Sequence, residues 1–140
     1  AQSLGRVMRI ILDADVVIRG EREQFDLKGW ILQRSQDRFE LAAITLAELF
    51  HGLERATSGH RRHRDMFLRS ILDELPILPY TEFTASEHAR IWADLESSGK
   101  MIGYYDLIVA ATALEHDSAV ATFNHKHFSQ VRGLKIIKPA

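Results

Sequence analysis

A chain of 140 residues with 46% hydrophobic side chains and a formal net charge of −1 is sized for one domain with a buried core. It contains no cysteine, which excludes disulfides, thiolate metal sites and a thiol nucleophile. No apolar run approaches the roughly 18 residues of a membrane span, and Ala1–Val7 lacks the hydrophobic region of a signal peptide. The expectation is therefore a cytoplasmic protein that does not contact a membrane, with one domain over residues 8–140 and an N-terminal extension over 1–7. A net charge near zero excludes neither nucleic acid nor an acidic ligand, because local patches outweigh the sum.

Arg9–Asp13 reads as the first strand: an apolar, β-branched run closed by a carboxylate. The chain turns apolar again over Val16–Ile18 and then polar over Gly20–Asp26, a loop entering a helix. That helix carries Phe25, Leu27, Trp30, Ile31 and Leu32 and ends near Ser35. Phe39–Ile44 is the second strand and Thr45–Ala56 a helix with Leu46, Leu49, Phe50 and Leu53 at helical spacing. Thr57-Ser58-Gly59 breaks it. Residues 60–75 form a further helix, basic at its start, which with the preceding one can project from the sheet as an arm. Pro76–Tyr80 is a short third strand. Thr84–Ser97 is a helix that Thr84 and Glu87 can cap. Asp106–His116 is an apolar, alanine-rich helix, Ala119–Thr122 the fourth strand and Leu134–Ile137 the fifth. Strands alternating with helices predict an α/β fold, a parallel sheet with helices on both faces.

Four polar groups stand at the edges of these elements. Asp13 closes a buried strand, and burial of a carboxylate is costly unless it is paired or metal-bound. Ligands in open α/β sheets bind just beyond such strand ends. A turn residue or helix cap is the alternative reading. Asp15 can share the site or cap the following turn. Glu48 fits a capping box with Thr45, but the first turn of that helix lies at the same sheet edge as Asp13. Asp106 suits a helix N-terminus through the dipole, and Asn124 suits a turn. Together Asp13, Glu48, Asp106 and Asn124 form an oxygen-only set, which suits magnesium or manganese better than zinc. Neither His60-x-x-His63 nor His125-x-His127 has a convincing ligand complement. Arg61, Arg62 and Arg64, with Arg55 and Arg69 nearby, form a basic patch for phosphate or simply a solvated helix face. Tyr104 and Tyr105 can stack bases beside the acids.

Four stretches carry a family resemblance: Leu12-Asp13-Ala14-Asp15-Val16-Val17-Ile18, then Leu46-Ala47-Glu48-Leu49-Phe50-His51-Gly52, then Ile102-Gly103-Tyr104-Tyr105-Asp106-Leu107-Ile108-Val109-Ala110-Ala111-Thr112-Ala113, and Ala121-Thr122-Phe123-Asn124 with Phe128. Four motifs in this order, spread over about Arg9–Pro139, resemble the PIN-domain ribonucleases, most closely the VapC toxins of toxin–antitoxin modules. The resemblance implies an α/β/α sandwich with strand order 3-2-1-4-5 and magnesium-dependent cleavage of single-stranded or looped RNA, with manganese as a substitute ion. It places Asp13, Glu48 and Asp106 on the family's acidic triad and Asn124 where a fourth acid or an asparagine occurs. Asp13 and Asp106 are then the direct metal ligands, and Glu48 acts through water or orients the nucleophile. It further implies a VapB-type antitoxin. Apart from the resemblance, the helices between strands two and three and the one after strand three carry many apolar residues, among them Phe50, Leu53, Met66, Phe67 and Ile71, and such a patch points to an interface, most simply a homodimer. Ala14 departs from a frequent hydroxyl residue, and Asn124 carries no charge.

Two rivals share parts of this pattern. Asp13-Ala14-Asp15-Val16-Val17 resembles the opening motif of haloacid dehalogenase-type phosphatases, in which the first aspartate is a covalent nucleophile, but no convincing lysine or paired-aspartate motif follows. A PIN-like scaffold that binds RNA or a partner without cleaving is compatible with the uncharged Asn124.

Overall fold

The computed structural model describes residues 7–140, so the extension over 1–7 lies, apart from Val7, outside the described residues. Five parallel strands, β1 (Arg9–Leu12), β2 (Arg38–Ala42), β3 (Ile77–Leu78), β4 (Ala119–Ala121) and β5 (Lys135–Ile137), pair in the order β3-β2-β1-β4-β5. The central strand β1 sets Ile10 beside Phe39 and Ala119, and Ile11 beside Glu40 and Val120.

Successive strand side chains point to opposite faces, and the two cores follow that alternation. Ile10, Leu12, Phe39 and Leu41 pack on one face with Val16, Val17, Leu27, Trp30, Leu49, Leu68 and Ile71. Ile11, Ala42 and Val120 pack on the other with Ile91, Leu95, Val109, Ala110 and Phe128. The first layer comprises α1 (Ala14–Glu21), α2 (Leu27–Gln33), α3 (Ala43–Glu54) and α4 (Ser58–Leu72). The second is dominated by α5 (Glu82–Ser97) and α6 (Tyr104–Glu115), with the short α7 (His125–Phe128) contributing Phe128.

Several boundaries differ from the sequence reading, each for a local reason. Val16-Val17-Ile18, given no element in the sequence reading, belongs to α1; Val16 and Val17 are fully buried against the sheet, so tertiary packing overrides the β-branched preference. At the C-terminal end of α1, a Cβ on Gly20 would sit 2.9 Å from Leu27 Cβ, so only glycine allows α1 and α2 to meet this closely. Helix α3 starts at Ala43, capped by Ala42 without a side-chain bond. Thr45 is therefore a fully buried helical residue and the Thr45–Glu48 capping box does not form. Helix α5 is capped by Thr81 rather than Thr84; Thr84 is the reciprocal partner, its hydroxyl accepting from the Thr81 backbone N–H at 3.0 Å. Helix α4 does not project as an arm. Leu68 and Ile71 are buried in the first core, and Arg64 bonds Glu21 of α1 at 2.8 Å.

At the N-terminal edge of the sheet, Arg9 grips Glu40 with two bonds, Nε to Oε1 at 3.0 Å and Nη2 to Oε2 at 2.9 Å. Glu40 is only 4% exposed. Removing one partner of such a pair strands the other charge in the interior, whereas removing both does not. Arg9→Met should therefore destabilise the fold by about 3 kcal/mol, and Arg9→Met combined with Glu40→Leu should cost less than the single change. Urea unfolding of the three proteins checks this; a double variant weaker than the single would refute it.

Candidate active site

All five strands run the same way, so their C-terminal ends share one edge, and each functional side chain arrives there by a different route. Asp13 directly follows β1 and caps α1, its Oδ1 accepting from the Ala14 N–H at 2.9 Å. Thr122 directly follows β4; its hydroxyl is fully buried and donates to Asp13 Oδ2 at 2.9 Å. The same hydroxyl lies 3.4 Å from Asp15 Oδ2 and accepts the Asn124 N–H at 2.9 Å. Asp15, in the first turn of α1, is held by the Phe123 N–H at 3.1 Å. Asp106 lies in the first turn of α6, after the N-cap Gly103, where a Cβ would come within 3.4 Å of its Oδ2. Glu48 lies on the second turn of α3 and points inward, with Oε1 buried.

The structure thus brings Asp13, Glu48, Asp106 and Asn124 to one edge. Asn124 Nδ2 lies 2.8 Å from His127 Nδ1, which lies 3.3 Å from Asp106 Oδ2. One ring nitrogen cannot accept from an amide and donate to a carboxylate at once, so the protonation state of His127 selects between these contacts. The basic patch is partly self-neutralised. Arg61 pairs with Glu54 at 3.0 Å and Arg64 with Glu21 at 2.8 Å, while Arg62 is exposed. Tyr104 and Tyr105 are 60% and 50% exposed beside Asp106.

Three participants were not chosen from sequence. Asp15, left open there, is a full member of the acidic cluster, and its two-residue offset from Asp13 is the signal. Thr122 carried no signal except its place at the end of β4. His127 could have been found from the i, i+3 spacing Asn124-x-x-His127 at the start of a helix.

Burial and like charge act together on these acids. Asp13 is pushed up to about 7, first by burial, then by the charge of Asp15, with Asp106 adding; the bonds from Thr122 and Ala14 oppose this. Glu48 is pushed up to about 7 by burial, then by the charges of Asp106 and Asp15. Asp15 is raised by burial, against the Phe123 N–H and the charge of Arg19. Asp15 Oδ1 and Glu48 Oε1 are buried with no hydrogen-bond partner among the described residues. Stranded carboxylate oxygens beside repelled neighbours are what a hard cation relieves. Among the described residues no three acid or imidazole groups close into a ready-made metal cage. An ion that keeps its waters needs only one or two carboxylates.

The electrostatics yield a pH test. Acids whose pKa is raised on folding bind protons more tightly in the folded state. Their contribution is fully present below the unfolded value near 4 and is lost as pH rises to about 7. In metal-free buffer, Asp13→Asn and Glu48→Gln should each melt above wild type at about pH 8 and lose that advantage at about pH 5. Melting curves at both pH values decide it; an equal difference at the two would remove the repulsion argument.

The model of the PIN domain matches residues 10–134. The VapC ribonuclease Y4jK of Sinorhizobium fredii is 33% identical over 136 residues, covering 93% of this chain and 96% of that protein. The fold superposes on VapBC2 from Rickettsia felis, solved with a promoter DNA fragment, with a TM-score of 0.86 at 21% identity, covering 95% of this chain and 100% of that one. VapBC-5 from Mycobacterium tuberculosis, a member of the VapBC family of toxin–antitoxin systems, gives 0.73 at 29% identity, with 93% and 98% covered. A family match that runs from β1 through β4 replaces the haloacid dehalogenase reading. With four motifs at one sheet edge, the observed strand order and these likenesses, the chain belongs to the PIN-domain family, on its VapC branch.

Proposed function

We propose that the protein is an endoribonuclease of the VapC type, the toxin of a toxin–antitoxin pair, which hydrolyses phosphodiester bonds in single-stranded or looped RNA. The observation that carries this reading is the buried carboxylate cluster of Asp13, Asp15, Glu48 and Asp106 with its unpartnered oxygens. The VapC relatives, one of them named a ribonuclease and another a toxin–antitoxin complex, supply the substrate class and the partner.

Asp13 and Asp106 are the residues to hold a divalent cation, magnesium with manganese as substitute, with Asp15 close enough to assist. When bound, the cation neutralises charge on the phosphate and makes water a better nucleophile. Thr122 fixes the Asp13 carboxylate so that one oxygen is bonded and the other faces the Ala14 N–H. Glu48, pushed up to about 7, is suited to take a proton from the attacking water near neutral pH. Asn124 supplies a neutral group at the rim, steered by His127. Tyr104 and Tyr105 offer exposed rings for bases beside Asp106, and Arg62 an exposed cation on α4.

The partners follow from surface. A cleft of about 80 Å³ between α1, α3 and α4, walled by Val17, Ile18, Leu49, Leu53 and Leu68, opens beside Glu48 and is the place for an antitoxin segment. The dimer surface expected on α3 and α4 is smaller than the sequence suggests. Ile71 is buried and Leu53 and Phe67 pack on the core, which leaves Phe50 and Met66 exposed. Exposed apolar side chains also stand on α5 and in the segment after it, with Trp92 44% and Met101 56% exposed. We place the homodimer there. Among the described residues no helix is long and apolar enough to cross a membrane.

Asp13→Asn, Glu48→Gln and Asp106→Asn should each lower cleavage of a single-stranded RNA by roughly 100-fold or more, with Asn124→Ala milder. Wild-type protein that binds RNA in magnesium but yields no new RNA ends would favour the non-cleaving scaffold. In light scattering, Trp92→Asp with Met101→Asp should convert a dimer to a monomer; a monomeric wild type would end the dimer assignment.

A further inference from the structure

Arg19 stands out among the cations by its seat: of the three cations that lie over aromatic rings among the described residues, it lies nearest its ring. It lies in the last turn of α1, one helical turn beyond Asp15. The i, i+4 spacing suits an ion pair, yet among the described residues Arg19 makes no ion pair and no side-chain hydrogen bond. Its guanidinium instead lies over the ring of Phe123, 4.3 Å from the centroid. Phe123 is itself fixed. Its ring meets Phe25 edge-on at 5.3 Å and 80°, and its backbone N–H holds Asp15. The residue that anchors one acid of the cluster therefore also seats this cation.

A guanidinium stacked on an aromatic face keeps its five N–H donors in the ring-parallel plane, free for an incoming group. Stacking removes much of the rotamer entropy that a free arginine loses on binding. The ligand that matches a planar, bidentate cation at the edge of an acidic, metal-demanding site is a phosphate of the substrate backbone. The four acids would otherwise repel that backbone. Arg61 and Arg64, the cations singled out in sequence, are spent on Glu54 and Glu21.

Building on the ribonuclease reading above, we infer that Arg19, seated on Phe123, binds a backbone phosphate of the RNA adjacent to the bond that is cut. Arg19 is then a substrate-binding residue, and Phe123 positions it.

The test measures binding of a single-stranded RNA oligonucleotide to the cleavage-impaired Asp13→Asn protein, in metal-free buffer, across a range of salt concentrations. Adding Arg19→Ala should weaken binding about tenfold at low salt and reduce the slope of log affinity against log salt by about 0.7, the value for one phosphate contact on a single strand. Arg19→Lys should retain the slope while losing part of the affinity. Phe123→Leu, which keeps the backbone N–H to Asp15, should weaken binding less than Arg19→Ala. Lys135→Ala, at the opposite edge of the sheet where Lys135 pairs with Asp117, should change neither quantity. RNA binding with an unchanged slope in Arg19→Ala overturns the assignment and leaves the ribonuclease reading intact, even if the melting temperature falls, because the residue is then structural. No RNA binding by any of the proteins, in metal-free buffer or in magnesium, overturns both.

Discussion

The bond from the Thr122 hydroxyl to Asp13 is the constraint on which the site depends. It joins the end of β4 to the end of β1, two adjacent strands whose pairing is already set by Ile11 beside Val120 and Leu12 beside Ala121. A carboxylate at the end of a fully buried strand has nowhere to turn for solvent. Its oxygens must be met by the protein or by a ligand. Thr122 meets one and the Ala14 N–H the other, and the cost that remains appears as a raised affinity for a proton or, in its place, a cation. Removing the hydroxyl would loosen Asp13, Asp15 and the turn to Asn124 together, because all three are tied to the same oxygen.

Around that bond the acids differ in how they are held. Both oxygens of Asp13 are bonded, by the Ala14 N–H and by Thr122, whereas Asp15 and Glu48 each keep one buried oxygen with no partner among the described residues. Fixed groups suit coordination, which requires defined geometry, and an under-satisfied group suits proton traffic, which requires a poised pKa. Local hydrogen bonding thus distinguishes carboxylates whose side-chain chemistry is the same.

Much of this was legible in the residues. The apolar strands, the helix faces of α3 and α6 and the acids at Asp13, Glu48 and Asp106 stand where hydrophobic pattern and strand-end logic put them. The pattern failed where packing outweighs local preference. Val16-Val17-Ile18 looks extended and is helical because the sheet needs those side chains on a helix above it. Thr45 and Glu48 match a capping box and do not form one, because α3 begins two residues earlier and carries Thr45 into the core. Thr122 and Arg19 could not be weighed from spacing, since the groups they meet, Asp13 and the Phe123 ring, lie more than a hundred residues away in sequence.

The acids belong to different layers. Glu48 rides on α3, which packs through Leu49 on the first core, and Asp106 on α6, which packs on the second. Asp13 stands at the end of β1, whose Ile10 and Leu12 pack on the first core and Ile11 on the second. A site assembled across two cores persists only while both stay docked, so its local stability is that of the weaker layer. Partial opening of either side silences the constellation before the chain unfolds globally. Damaged, incompletely synthesised or heat-loosened copies then lose the constellation by construction.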